Sequence, residues 1–275
     1  MRAFCLDQTE VHGCGAPEQL EPVATEAGPV AVPIDWQAVE LVWNERDGYP
    51  GSGAYRDYHH STRHDLKPWD NAGRPYDRRA ALALAADHAR DFVSRVAERL
   101  REGGLLCCAL DTELLGHWWY EGPAWLAEVL EEARRRGVEL VTVSEGLEEM
   151  KPAERPLGAS TWGAGKDLST WDAPGVAELV FAARRAELRT VAAIAAHRTP
   201  RAALERAARE LLALQASDWG FMVTRDLAGD YPARRVEEHL ANHEAALAGL
   251  TGSTDVAPAL RHLAPDLDLA SLTTP

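Results

Sequence analysis

Apolar positions recur every three or four residues from Asp77 to Glu102, in DRRAALALAADHARDFVSRVAERLRE, and a glycine pair closes the run. That period lays one apolar stripe along a helix, with Asp77 as its N-cap and Gly103–Gly104 as its stop. The next six residues, LLCCAL (105–110), are continuously apolar, as in a strand covered on both faces, and they end on Asp111. PAWLAEVLEEARRR (123–136) repeats the helical period, and VELVTVS (138–144) reads as a second strand. VAVPIDW (30–36) is a further short strand-like run, so the middle of the chain predicts a layer of alternating strands and helices.

Residues 1–30 are dense in Gly, Pro and Glu and predict little regular structure. Residues 44–76 are turn-rich, and so long an irregular segment inside a compact domain points to a functional loop. Its aromatics and histidines, with Trp43 just ahead of it (Trp43, Tyr49, Tyr55, Tyr58, His59, His60, Trp69), fit either a binding wall or plugs for the core. After Lys151 a Pro- and Gly-rich bridge, KPAERPLGASTWGAGKDLSTWDAPG, leads into Ala-rich helical stretches near 175–195, 201–217 and 232–249, with no further strand. A boundary near residue 150 is therefore expected, with an α/β part at 1–150 and the bridge and a helical part at 151–275. No internal repeat is apparent.

Composition narrows the possible partners. With 46% hydrophobic residues the chain can bury a core, and a net charge of −14 argues against holding nucleic acid or an anionic membrane by bulk charge. No apolar run follows a basic start, and none approaches the roughly 20 residues that cross a bilayer, so a cytoplasmic protein is expected. Cys107 and Cys108 sit in the apolar run with no second cluster to close a zinc site and no flanking base to form a thiolate, which makes them buried thiols. No cofactor and no metal are expected. Nine tryptophans are the outlier, and a flat indole is both a core filler and a platform for the apolar face of a sugar ring.

Reactive groups of parallel α/β layers gather at the carboxyl ends of strands, and Asp111 holds such a position. The segment it opens, DTELLGHWWYEG, brings Glu113, His117, Trp118, Trp119, Tyr120 and Glu121 within eleven residues. Together these offer a proton donor, hydrogen-bonding groups and stacking surfaces. Two plainer readings stand beside this one: Asp111 caps a turn while the Trp pair fills a gap, or Asp111, Glu113 and His117 bind a metal, although no second His stands at ligand spacing. In the bridge, Trp162 and Trp171 lie nine residues apart in a segment too rich in Gly and Ser for a helix core, which fits a sugar groove or a pinned linker. Asp218 and Trp219 close an apolar helix, where capping and packing would explain them equally well.

DTELLGHWWYEGPAWL, then STWGAGKDLSTW, then RAARELLALQASDWGFM and DYPARRVEEH resemble, in order, the C-terminal half of glycoside hydrolase family 57, in its branch of α-1,4-glucan branching enzymes. The resemblance spans roughly residues 30 to 250, and its first block is the most specific. It implies an α/β fold made of a partial (β/α)7 barrel followed by an α-helical C-terminal domain, acting on α-glucan by a retaining transfer. It assigns the general acid/base to Asp111, beside which His117, Trp118 and Trp119 are expected to shape the sugar site. It matches Trp162 and Trp171 to an aromatic glucan-binding pair and sets Asp218 and Trp219 near the acceptor groove. Family members also carry a His-rich first strand and a Glu nucleophile, and no glutamate upstream of Asp111 sits in a matching motif. Retaining chemistry needs two carboxyl groups about 5–5.5 Å apart, so only one partner is expected here. The expected partners are an α-glucan and either a separate N-terminal half or a second copy of the chain. The alternative is a non-catalytic glucan-binding remnant or a subunit of a split enzyme.

Overall fold

Asp77 caps its helix as the pattern predicts, accepting hydrogen bonds from the amides of Arg79 (2.9 Å) and Ala80 (3.2 Å). The computed structural model describes residues 2–44, 47–196, 201–250, 260 and 262–273. It divides the chain into two compact units, Met1–Thr161 and Trp162–Pro275. The sequence places a boundary near 150, whereas residues 151–161 run with the first unit: Ala24 N–H donates to the Ala153 carbonyl, and Gln8 exchanges hydrogen bonds with the backbone of Gly158.

The first unit holds a small sheet of β1 (Ala3–Leu6), β2 (Val23–Ala24) and β3 (Val30–Pro33), in the order β1-β3-β2. β1 runs parallel to β3, and β2 antiparallel to it. Its helices are α1 (Thr9–His12), α2 (Trp36–Trp43), α3 (Arg78–Arg99), α4 (Gly122–Arg136) and α5 (Val143–Glu149). α3 buries Ala81, Ala85, Ala89, Phe92 and Val93, and α4 buries Trp125, Val129 and Ala133. Small alanines on one face let the bulky indole of the other approach, and Phe92 meets Trp125 edge-on at 5.2 Å. Gly137, left-handed at φ 69°, ends α4 behind three arginines that suit the negative helix terminus.

Two expected strands are not ladders here. Residues 105–110 touch the sheet through a single parallel bridge, Ile34 to Cys107, reinforced by the Asp35 amide donating to the Cys107 carbonyl at 2.9 Å. Their side chains are half-buried, not sealed on both faces. Residues 138–142 are irregular, and α5 begins where the strand should continue. The capping box of Thr142 and Glu145 explains the switch: each side chain satisfies the other's free backbone N–H and so nucleates a helix. A strand has no hydrogen bonds of its own, so an apolar run becomes one only where a neighbour pairs with it. The molecule is thus α/β in class, mostly helical with a small sheet.

The second unit is helical: α6 (Ala177–Ala196), α7 (Arg201–Leu214), α8 (Ser217–Thr224) and α9 (Tyr231–Ala248). Ala186, Leu211, Leu214 and Val236 form one of its cores, against which Trp219 packs. Its interior also buries Glu210, which accepts from Arg206 (2.7 Å) and bonds His239 Nδ1 (2.7 Å). Among the described residues no helix is long and apolar enough to cross a membrane.

Candidate active site

Asp111 stands where residues 105–110 leave the sheet, exposed, at the start of a single 3-10 turn over Thr112–Leu114. Gly116, at φ 100°, reverses the chain after that turn; a side chain there would be strained. The reversal brings Trp119 back, its amide donating to Leu114 O and its carbonyl accepting from the Gly116 amide, both at 2.8 Å. Neighbouring residues of the loop therefore face opposite ways. Trp118 is 43% exposed, while Trp119 is 1% exposed.

Trp119 was expected at the sugar site and is instead core. Its indole lies 5.3 Å from Tyr55 and 5.2 Å from Trp125, in the cluster that joins α3 and α4. Trp118 keeps an open face and is fixed at its edge, where Nε1 donates to Glu113 Oε1 at 3.0 Å. His117 is exposed beside it, with ring centroids 5.5 Å apart. Tyr58, from the irregular 44–76 segment, completes the group: its hydroxyl is 3.1 Å from His117 Nε2, and its ring is 4.5 Å from Trp118.

The aromatics of that segment divide between the two roles the sequence allowed. Tyr49 and Tyr55 are buried core plugs, and both bear on His88, which stacks on Tyr49 at 4.5 Å and bonds the Tyr55 hydroxyl at 2.8 Å. Tyr58 instead joins the exposed group. Glu121, grouped with the loop in the sequence but given no role of its own, ties the two segments together. It is 2% exposed, and its Oε1 accepts from the Tyr76 hydroxyl (2.6 Å) and the Arg56 amide (3.3 Å). Burial, with that bond to Glu121, pushes the Tyr76 phenol up, which keeps it a donor. Arg56 in turn lies over the Tyr120 ring, 4.6 Å from its centroid. The signal that could have found Glu121 was a carboxylate at the N-cap of α4, one turn ahead of the inward-facing Trp125.

The thiols lie apart from this chemistry. Burial pushes Cys108 up to about 12, and burial with the nearby Cys5 does the same to Cys107. Neither offers a thiolate near neutral pH. Among the described residues no group of three or more His, Cys, Asp or Glu is placed to hold a metal ion.

In the second unit, Trp171, Asp218 and Trp219 come together at the start of α8. Trp171 Nε1 donates to the Ser217 carbonyl at 2.8 Å, and Thr224 Oγ1 donates to Thr170 O at 2.7 Å, so the bridge is laced to that helix. Trp171 lies against the backbone of Gly220, where an added Cβ would meet its Cδ1 at 2.9 Å. Trp219 is half-buried, with Nε1 donating to Ala213 O at 2.8 Å, and Asp218 is exposed. Both indoles, with Leu179, Ala183 and Gln215, line an open cleft of about 380 Å³. Trp162 is exposed, with the Lys166 ammonium 5.3 Å from its ring.

Residues 181–266 match the family described as 1,4-alpha-glucan branching enzyme, C-terminal. The chain is 35% identical to the probable 1,4-alpha-glucan branching enzyme of Mycobacterium tuberculosis, over 92% of this chain and 53% of that protein. Its fold matches the crystal structure of a GH57 branching enzyme from Thermococcus kodakaraensis, solved with glucose and additives, with a TM-score of 0.81 and 30% identity. It also matches the GH57-type branching enzyme from Pyrococcus horikoshii, with a TM-score of 0.79 and 26% identity. Both matches cover all of this chain and 56% and 57% of those chains. The chain thus spans about half the length of the relatives it matches.

Proposed function

Because the chain belongs to glycoside hydrolase family 57, in its 1,4-α-glucan branching enzyme branch, we propose that it carries the acid/base half of an α-glucan branching site. Asp111 protonates the leaving glycosidic oxygen of the donor glucan. It then takes the proton from the acceptor hydroxyl as the second displacement forms the new bond. The carrying observation is the loop itself, which exposes Asp111, His117 and Trp118 on one short stretch of chain. Trp118 and His117 hold the sugar there. In the second unit, Trp162, Trp171, Asp218 and Trp219 supply glucan-binding groups of their own, with the cleft beside Trp171 and Trp219 in support. The small sheet and residues 105–110 are read as part of a (β/α)7 barrel, and the second unit as the helical C-terminal domain.

The nucleophile comes from outside this set. Glu113 is held by the Trp118 indole and stands on the same short turn as Asp111, whereas the two carboxyl groups must flank the scissile bond from opposite sides. A separate N-terminal half supplies the second group, since a second copy of this chain brings no matching glutamate. The edge position of β1 and the exposed Leu140, Val141 and Val143 favour such a partner, since an open strand edge and bare apolar side chains invite pairing.

Amylose incubated with the chain together with a family N-terminal half should gain α-1,6 branches, and Asp111→Asn should abolish them. Branching that survives in Asp111→Asn sinks the assignment. Amylose binding without turnover under every condition would favour a non-catalytic glucan-binding subunit. A monomeric chain that melts cooperatively on its own counts against the missing partner.

A further inference from the structure

Tyr58 lies far from the acid loop in sequence, yet its hydroxyl and its ring both bear on that loop. The hydroxyl sits 3.1 Å from His117 Nε2, and the ring lies 5.1 Å from the imidazole and 4.5 Å from Trp118. One more contact comes from Lys67, whose ammonium stands 3.9 Å from the Tyr58 ring centroid and also donates to the Tyr58 carbonyl. Tyr58 is therefore held by a cation on its own segment while it touches both exposed rings of the loop.

We infer that Tyr58 is the positioning residue of the sugar site, fixing His117 as its Nδ1–H tautomer and backing Trp118, so that one indole face and one imidazole donor meet the glucan. This rests on reading the acid loop as an α-glucan site.

The hydrogen bond has a direction. A phenol hydroxyl is a better donor than a neutral imidazole N–H, and the bare imidazole nitrogen a better acceptor than a phenol oxygen, so the hydroxyl donates and Nε2 accepts. Neutral imidazole carries one proton, which must then sit on Nδ1. The indole is restrained twice, by Tyr58 against its ring and by Glu113 at its Nε1. A platform already held in place loses little freedom when a ligand stacks on it, and that is how restraint becomes affinity. Lys67 covers Tyr58 and strengthens its hold by attraction to the ring. Tyr58 is in consequence a buttress, and the open stacking surface is Trp118.

The test separates the buttress from the glucan. Tyr58→Phe keeps the ring and removes the hydroxyl from a half-buried position, so its melting should stay close to that of the parent. In long-range proton–nitrogen spectra at alkaline pH, His117 of the parent should show the Nδ1–H tautomer, and Tyr58→Phe should lose it. Maltoheptaose affinity, read by titration calorimetry, should fall about threefold to tenfold in Tyr58→Phe, the worth of one hydrogen bond. It should fall further in Trp118→Ala. A parent His117 in the Nε2–H tautomer, or a spectrum unchanged in the variant, overturns the inference. A tautomer that behaves as stated in chains that never bind maltoheptaose upholds Tyr58 as the anchor of His117 and overturns the glucan reading instead.

Discussion

Adjacent tryptophans in one loop should behave as opposites when removed. An indole buries roughly 150–250 Å². At about 25 cal/mol per Å², complete burial is worth about 4–6 kcal/mol, in line with the roughly 3–5 kcal/mol that core Phe or Trp truncations cost. Trp119, 1% exposed between Tyr55 and Trp125, should therefore lose about 3–5 kcal/mol in Trp119→Ala. Domains are stable by only about 5–15 kcal/mol, so the variant should stand near the edge of folding. Its melting temperature should drop by roughly 6–20 °C at about 2–4 °C per kcal/mol. Trp118, 43% exposed, should cost about 1 kcal/mol or less, chiefly its contact with Tyr58, while glucan affinity is lost. Calorimetric melting of the two alanine variants beside the parent measures both. Equal melting temperatures for the two, or a larger loss in Trp118→Ala, would refute the partition of the loop. Trp119→Phe adds a check: the buried Trp119 Nε1 has no partner, so removing it offsets part of the lost volume and should cost less than Trp119→Ala.

In the second unit, burial, then the Arg189 charge, holds His243 below the ordinary imidazole range, while Glu244 and Glu210 act the other way. The unfolded chain therefore binds the proton first as pH falls below about 6.5, and stability drops by up to about 1.4 kcal/mol per pH unit until the folded form protonates too. Urea midpoints should fall less between about pH 7 and 5 in His243→Gln than in the parent; parallel curves would count against this. Gly220→Ala should displace the Trp171 indole, since the new Cβ would lie 2.9 Å from Cδ1. The expected readouts are altered tryptophan fluorescence, a cost of about 1–3 kcal/mol and weaker maltooligosaccharide binding. Unchanged fluorescence and affinity would show that Trp171 is not seated as described.

The sequence alone determined the elements whose information is local. The 3.6-residue period and Asp77 set α3, the Trp125, Val129 and Ala133 spacing set α4, and the Ala-rich stretches set α6, α7 and α9. It also singled out Asp111 and its loop, because that mixture of acid, imidazole and indoles is rare in any context. Tertiary structure decided the rest. Residues 105–110 and 138–142 are apolar enough for strands, but a ladder needs a partner that their own pattern cannot provide. Trp118 and Trp119 are identical residues side by side, and only the reversal at Gly116 sends one to solvent and the other into the core. Tyr58 reaches the loop from a distant position, and Glu121 ties the base of α4 to Arg56 and Tyr76, through contacts with no sequence period. Hydrophobic patterning records which residues leave water; it does not record which of them meet.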